Sequence, residues 1–145
     1  MLLGFIADSV SLALSVPRGI SLDAKKFAEE AFKTDPRIRY VAVVDRQFNV
    51  LFSQMREGVV SITPPDRDRN FVQLIPPIIL DGVEKFSPML GTVQSVTVRY
   101  EKVLLVFFAK GDYIVILTFN PEVSTPFISA TTEYVESLSS RWLVD

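Results

Sequence analysis

The spacing of apolar residues along the chain changes period several times, and the first period is helical. Apolar side chains recur three and four residues apart at Ala24, Phe27, Ala28 and Ala31. This spacing keeps them on one face of an α-helix. Ser21 is a preferred N-cap, and the residue before Pro36 avoids the helical region. The pattern predicts a first helix over 21–35 whose lysines and glutamates form a solvated face.

A two-residue period follows. Ile38, Tyr40, Ala42 and Val44 alternate with Arg39, Val41 and Val43, and a second short apolar run extends from Val50 to Met55. Alternation is typical of a strand, so the two runs predict a β-hairpin. Asp45 and Asn49 suit the turn because their side chains bond nearby backbone amides. An acid at a strand end can also be catalytic, but turn chemistry is the better explanation of Asp45.

A helical period returns in the middle of the chain. Its apolar stripe consists of Phe71, Leu74, Ile75, Ile78, Ile79 and Phe86. Asp66 is the predicted N-cap, and Gly91 follows the end of the element. Pro76 and Pro77 interrupt the stripe, and an interior proline costs about 3 kcal/mol or more. We therefore expect a break near Ile75 and a restart at Pro77.

Three strands and a last helix complete the pattern. The strands are predicted from Val93 to Tyr100, from Val103 to Phe108 and from Tyr113 to Phe119, and the last two are apolar on both faces. Strands of that kind must be covered on both faces. Thr125 is the expected cap of the last helix and Pro126 its opening residue. The stripe of this helix consists of Ile128, Thr131, Val135, Leu138 and Trp142. The fold class predicted is α+β, with a five-stranded mixed or antiparallel sheet and helices on both faces.

The length of 145 residues fits one domain. We assign residues 21–145 to that domain and residues 1–20 to an apolar N-terminal extension. The extension carries Asp8 and several serines and has no basic start, so it does not match a signal peptide. Strand and helix remain equally compatible with its pattern. In either form we expect it to pack on the domain or on a partner subunit.

Composition excludes several kinds of function. With 15 basic and 17 acidic side chains the net charge is −2, whereas a nucleic-acid or anionic-lipid binder needs a basic excess. The chain has no Cys and no His, which excludes disulfides, Cys/His zinc sites and Ser-His-Asp triads. We expect a cytoplasmic protein with neither nucleic acid nor membrane as a partner.

Candidate chemistry is sparse. Asp66 and Asp68 belong to a helix start, where anions offset the macrodipole. Glu133 and Glu136 can approach one another on the last helix, but solvation explains them better. Neither EF-hand spacing nor a Gly-rich phosphate loop is present. We therefore predict no catalytic residue, no cofactor, no metal site and no enzyme activity.

Arginines leave one binding hypothesis open. They are Arg37, Arg39, Arg46, Arg56, Arg67 and Arg69. If they converge, they could bind a phosphate or carboxylate. Acidic residues alternate with them, so mutual neutralisation is the default expectation.

Several motifs resemble the Roadblock-type dynein light chain family. They are Tyr40 to Asp45 with Val50 to Phe52 after a turn, Leu90-Gly91 before the third strand, Gly111 to Ile116, and the terminal helix. Profilin-like, PAS-type and longin domains share parts of the same element order. Arg56-Glu57-Gly58 and Tyr100 to Val103 are similar to motifs in small stand-alone archaeal members. The double proline and the apolar extension depart from the family pattern.

The resemblance implies a non-catalytic scaffold or a regulator of small GTPases. It implies a homodimer, or a heterodimer with a paralogue, in which the second helices and third strands meet. The interface residues expected are Phe71, Leu74, Ile75, Ile78, Ile79, Val93, Val96 and Val98. An unpaired edge strand supports this independently, because it is a template for pairing with another chain.

Two other functions remain possible at this point. A profilin- or PAS-like sensory domain would hold a small molecule between the sheet and a broken second helix. An enzyme would have to use carboxylates with Tyr or Arg, and it would need converging acids in a cleft.

Overall fold

The computed structural model describes residues 20–60 and 65–143, with side chains other than those of residues 20–22 and 65–70. Its elements are α1 (Ile20–Thr34), β1 (Ile38–Asp45), β2 (Val50–Met55), α2 (Pro65–Val83), α3 (Ser87–Leu90), β3 (Val96–Arg99), β4 (Leu104–Lys110), β5 (Tyr113–Phe119) and α4 (Thr125–Trp142). A 3-10 turn over Glu84–Phe86 joins α2 to α3. The order of the main elements is the predicted one. The expected extension over residues 1–20 lies outside the described residues, apart from Ile20.

The five strands form one antiparallel sheet in the order β2-β1-β5-β4-β3. Of the two arrangements expected, mixed or antiparallel, the second is the one found. Strands β2 and β3 are the edges, and β3 has only four residues. On β2, Ser53 and Gln54 are exposed.

Both faces of the central strands are buried, as the two-sided apolar runs predicted. Every residue of β5 is buried. Val115 and Leu117 point into the core beneath α1 and α4. Ile114 and Ile116 point into the core beneath α2. The pleat sends successive side chains to opposite faces, so one strand contributes to two cores.

The predicted break in the second helix is wrong. Helix α2 continues through Pro76 and Pro77. Both proline rings are buried, and Pro76 lies one turn from the buried Val72 and Leu80. The prolines therefore lie on the face that packs on the sheet. Their buried rings offset part of the cost of two missing amide donors.

Four smaller boundaries also differ from prediction. Helix α1 begins at Ile20, one residue before the expected cap Ser21, and α2 begins at Pro65, before Asp66. Ser124 is the N-cap of α4, where Thr125 was expected, and its side chain makes no capping hydrogen bond. Strand β3 begins at Val96 because ladder pairing with β4 starts there. Such shifts are typical of element ends, where local signals are weakest.

Candidate interaction surface

Exposed large hydrophobic side chains are concentrated in one part of the molecule. Among the described residues there are eleven. Seven of them lie between positions 74 and 100: Leu74, Ile78, Val83, Phe86, Met89, Leu90 and Tyr100. Scattered exposed apolar residues are normal, whereas a cluster of this kind marks an interaction site.

The first part of helix α2 contacts the chain just after β3. The ring of Phe71 packs on the ring of Tyr100, just after β3, with centroids 6.1 Å apart. The other flank of the helix is fixed to the β1–β2 turn, because Gln73 Nε2 donates to the Phe48 carbonyl oxygen at 2.7 Å. The start of α2 is therefore held between the β1–β2 turn and the residue that follows β3.

Strand β3 leaves its outer edge without a partner strand in the described part of the chain, because the sheet order ends there. Val96 and Val98 are half-buried in the core beneath α2. Thr97 and Arg99 are exposed on the other face. An edge of this kind presents backbone amides and carbonyls to a second chain.

The eight residues expected at a dimer interface lie along α2 and the approach to β3. We call this set the α2–β3 surface: Phe71, Leu74, Ile75, Ile78, Ile79, Val93, Val96 and Val98. Leu74 and Ile78 are 42% and 56% exposed. The other six are half-buried. All eight therefore retain surface that a second chain could cover.

Sequence reasoning included Phe86 in the stripe but left out three other apolar residues at the end of α2 and just beyond it: Val83, Met89 and Leu90. Val83, Phe86, Met89 and Leu90 are all exposed, and Leu90 reaches 81%. The signal was present in their spacing, since positions 83, 86 and 90 continue the three- and four-residue rhythm of the helix.

The charges beside α2 are paired. Arg46 binds Glu84 through two hydrogen bonds, Nη1 to Oε1 at 2.7 Å and Nη2 to Oε2 at 3.1 Å. The bond to Glu84 raises the pKa of Arg46, with smaller contributions from Asp112 and Asp81. Lys85 pairs with Asp81 at 3.2 Å. This end of the helix is therefore close to neutral and does not repel an apolar partner.

The arginines do not converge on one site. Arg46 follows β1, whereas Arg37 precedes it, so the two are at opposite ends of the strand. Arg37 Nη2 pairs with Asp35 at 2.9 Å. Arg39 donates to Asn120 Oδ1 at 3.1 Å and to a backbone carbonyl oxygen at 2.9 Å. The side chains of positions 67 and 69 lie outside the described residues.

Arg56 has a structural role at the end of α1. Its guanidinium donates to the carbonyl oxygens of Ile38, Phe32 and Asp35 at 2.6, 2.7 and 2.8 Å. It also lies over the Phe32 ring, 4.9 Å from the centroid. The bond to Phe32 satisfies a carbonyl that the end of α1 leaves free, and the three bonds together hold the α1–β1 connection to the end of β2.

Two of the candidate carboxylates have structural partners, and a third, Glu133, is exposed. Asp45 Oδ1 accepts hydrogen bonds from the backbone amides of Gln47 and Asn49, both at 2.9 Å, which confirms its turn role. Glu136 pairs with Lys110 at 3.4 Å. Within residues 20–60 and 65–143, no three His, Cys, Asp or Glu side chains are grouped to hold a metal ion. The side chains of positions 66 and 68 are not described.

The architecture is the α+β class predicted: one antiparallel sheet between α1 and α4 on one face and α2 on the other. No protein-family model matches the chain, and no curated protein matches its sequence. Across the described parts of the chain, no helix combines the length and apolar character needed to cross a membrane.

Solved structures with the same fold do exist. The gliding protein MglB from Thermus thermophilus superposes with a TM-score of 0.68, covering 87% of this chain and 93% of its own at 16% identity. MglB from Myxococcus xanthus gives a TM-score of 0.67, with 87% and 91% covered at 10% identity. A Roadblock/LC7 domain from Streptomyces avermitilis gives 0.61, with 79% and 92% covered at 10% identity. The chain therefore has the Roadblock/LC7 fold that its motifs indicated.

Proposed function

We propose that this protein is a non-catalytic interaction module that dimerises through the α2–β3 surface and acts as an adaptor or regulator of a partner protein. The dimer is a homodimer, or a heterodimer with a paralogue. The observation that carries the proposal is the coincidence of an apolar helix stripe with an adjacent unpaired strand edge among the described residues. One surface then supplies both hydrophobic burial and backbone pairing.

The exposed fractions support this interface. Ile78 is 56% exposed on α2 although its neighbours in sequence include buried residues. Covering an exposed aliphatic side chain of this size contributes about 1.5–3 kcal/mol at most. The free energy gained by burying several such side chains together is large enough to offset the cost of association. Paired charges beside the stripe add no repulsion.

A small GTPase is the partner class that the family resemblance implies. The fold is shared with MglB, a gliding protein, and a regulator of this type needs no catalytic residues of its own. Purified small GTPases from the same source, loaded with GDP or with a non-hydrolysable GTP analogue, should bind the dimer at micromolar concentration. Failure of every such GTPase to bind in either state would contradict this part of the proposal.

The dimer is tested by Ile78→Asp. Burying an unpaired carboxylate costs several kcal/mol, so the dissociation constant should rise by roughly a hundredfold or more. Sedimentation equilibrium at micromolar concentration measures it. Tyr134→Asp is the matched control, because Tyr134 is 54% exposed on α4, on the other face of the sheet. A monomeric wild type, or equal effects of both substitutions, would contradict the interface.

The small-ligand alternative loses the feature that favoured it. A sensory site was expected where the double proline opened the second helix. Because α2 is continuous and both prolines are buried, that opening is not formed. We therefore retain the interaction module as the proposed function.

A further inference from the structure

Two exposed aromatic side chains lie on one side of α4, on the sheet face away from α2. Phe127 is 56% exposed and Tyr134 is 54% exposed. They are seven residues apart, which is about two helical turns, so they share one side of the helix. The Arg37 guanidinium lies 4.7 Å from the Phe127 ring centroid, so this side is the one toward α1 and the α1–β1 connection. The described residues of the subunit leave these two rings largely uncovered.

Helices α1 and α4 run antiparallel. Just after α1, Asp35 accepts a hydrogen bond from Thr131 of α4 at 3.4 Å. In the first half of α1, Lys26 Nζ lies 5.8 Å from the ring centroid of Trp142 in the last turn of α4. Ile20, the first residue of α1, is six residues before Lys26, or about 9 Å along the helix axis. Residues 1–19 therefore join the domain at the end of α4 that carries Trp142.

The indole of Trp142 lacks an acceptor at this place. Its Nε1 is buried and has no hydrogen-bond partner among the residues that the structure describes. A buried donor without an acceptor costs about 1–3 kcal/mol, so buried polar groups in native proteins nearly always have one. The chain that enters α1 at Ile20 carries backbone carbonyl oxygens to this end of the helix pair. It is therefore a source of the missing acceptor.

The side of α1 that faces α4 carries an excess of positive charge. Lys26 and Lys33 both pair with Glu30, at 3.9 and 3.3 Å, and the contact of Lys26 with the Trp142 ring places this side toward α4. Two lysines share one glutamate, so the net charge of the three is positive. We call the surface between the two helices the α1–α4 groove, and its residues are Lys26, Glu30, Lys33, Phe127, Tyr134 and Trp142.

The sequence before α1 complements this groove. Among residues 2–16, ten of fifteen are apolar, and Asp8 is the only one with a charged side chain. Its charge is opposite in sign to the excess on α1. Residues 17–19 are Pro-Arg-Gly, and proline and glycine favour a turn. A turn at that point directs residues 2–16 back along the two helices.

We propose that residues 2–16 fold back at this turn and dock in the α1–α4 groove of their own subunit, covering Phe127 and Tyr134 and supplying an acceptor to Trp142. The length is sufficient, because fifteen residues span about 22 Å as a helix and about 50 Å as a strand. The distance along α4 from Trp142 to Phe127 is about 22 Å. A docked segment closes this face of the subunit to other proteins and leaves the α2–β3 surface free, because α2 covers the opposite face of the sheet.

Limited proteolysis of the full chain tests the docking. Chymotrypsin cleaves after leucine and aromatic residues, and at low enzyme concentration its rate within residues 2–16 follows the undocked fraction. Phe127→Ser combined with Tyr134→Ser should raise that rate roughly tenfold or more, because the segment loses its apolar contacts. Phe86→Ser combined with Met89→Ser is the matched control, since these side chains are comparably exposed but follow α2. Intact-mass spectrometry measures the cleavage.

Trp142 gives a second readout from within the groove, because it is the only tryptophan of the chain. Leu12→Asp combined with Leu14→Asp should undock the segment, since burial of an unpaired carboxylate is costly. The emission of Trp142 should then shift to longer wavelength, and its quenching by acrylamide should increase. The Phe86→Ser and Met89→Ser control should leave both properties unchanged.

The outcomes distinguish this contact from the proposed dimer. Faster cleavage in the groove variant alone, with the shift of Trp142 emission in the segment variant, supports the docking. A wild-type segment that is cleaved as fast as in the groove variant overturns it, and so does acceleration by the Phe86→Ser and Met89→Ser control or an unchanged Trp142 emission. Ile78→Asp, which removes the proposed dimer, should leave the segment protected. Loss of protection in that variant would assign the contact to a neighbouring subunit and overturn docking within one subunit. Neither readout measures association, so their failure leaves the dimer standing.

Discussion

At the scale of single residues, Asp35 is a buried carboxylate that accepts several hydrogen bonds. It is 4% exposed. Its Oδ1 accepts from the Arg37 backbone amide at 2.9 Å and from Arg37 Nε at 3.0 Å, and Oδ2 accepts from Nη2 at 2.9 Å. Thr131 of α4 donates to Oδ2 at 3.4 Å. Asp35 therefore ties the α1–β1 connection to α4.

Those bonds give stability an acid-dependent component. The side-chain bond from Arg37 is the main cause that lowers the pKa of Asp35 below the ordinary 3.8, against the opposing effect of burial. The unfolded chain then binds the proton more readily than the folded one. The stabilisation is complete above the unfolded pKa and is lost as the pH falls through the lower, folded pKa.

Asp35→Asn should therefore flatten the decline of the unfolding free energy below about pH 4. Urea denaturation at successive pH values between about 2 and 6 measures this. The exposed Asp112 provides the comparison, since Asp112→Asn should keep the steeper acid limb of the wild type. Identical acid limbs for the wild type and Asp35→Asn would contradict the assignment.

The sequence predicted residue roles only where the partner is close along the chain. Asp45 was assigned to a turn because its acceptors bond amides two and four residues away. Arg56 was grouped with other arginines as a possible anion site, because its three carbonyl partners are 18 to 24 residues away. Sequence spacing does not show which carbonyls a helix end will leave free.

At the scale of elements, α2 is a continuous helix although its sequence contains two interior prolines. Its two prolines remove two amide donors from the helix interior, yet its buried face must cover the sheet. The proline rings lie on that face. The helix is therefore held by packing and by the bonds to Phe48 and from Arg46, more than by its own propensity.

Single replacements Pro76→Ala and Pro77→Ala should each raise the unfolding free energy by about 1.4 kcal/mol. Relief of an interior proline contributes about 3 kcal/mol, and the loss of two buried methylenes removes about 1.6 kcal/mol. Urea denaturation of the monomeric Ile78→Asp background isolates this effect from association. Pro126→Ala is the control, because Pro126 lies in the first turn of α4, where proline is tolerated. A loss of stability in both test variants would show that ring packing dominates.

The competition between intrinsic propensity and packing on the sheet also explains which elements could be predicted from the sequence. Strands β4 and β5 were predicted because residues apolar on both faces have few alternatives to a covered sheet. The continuity of α2 was not predicted because the low helix propensity of its two prolines favours a break. Packing of the helix on the sheet outweighs that propensity. The α2–β3 surface was proposed from an edge and a stripe, whereas its extension over Val83 and Met89 needed the exposures of the folded chain.

At the scale of the whole molecule, the two edges of the sheet differ. The β3 edge carries half-buried Val96 and Val98, and the β2 edge carries exposed Ser53 and Gln54. Pairing through β3 should make its amides more protected from hydrogen exchange as protein concentration rises, while those of β2 stay unchanged. Mass spectrometry from low to high micromolar concentration measures this difference.

Ile78→Asp should abolish that concentration dependence without changing exchange in β5. Protection that rises equally in β2 and β3 would indicate non-specific association. Protection that stays constant in β3 at every concentration would show that this edge has no partner.

The polar side chains of edge strand β2 bear on how many subunits can assemble edge to edge. When two five-stranded subunits join through β3, each end of the resulting continuous ribbon is a β2 strand, and both ends are alike. Ser53 and Gln54 offer a third subunit little apolar surface to bury. Arg56 already donates a hydrogen bond to a carbonyl oxygen near the end of α1. If the proposed dimer forms, we expect assembly along the ribbon to stop at a closed pair and not to continue into fibres.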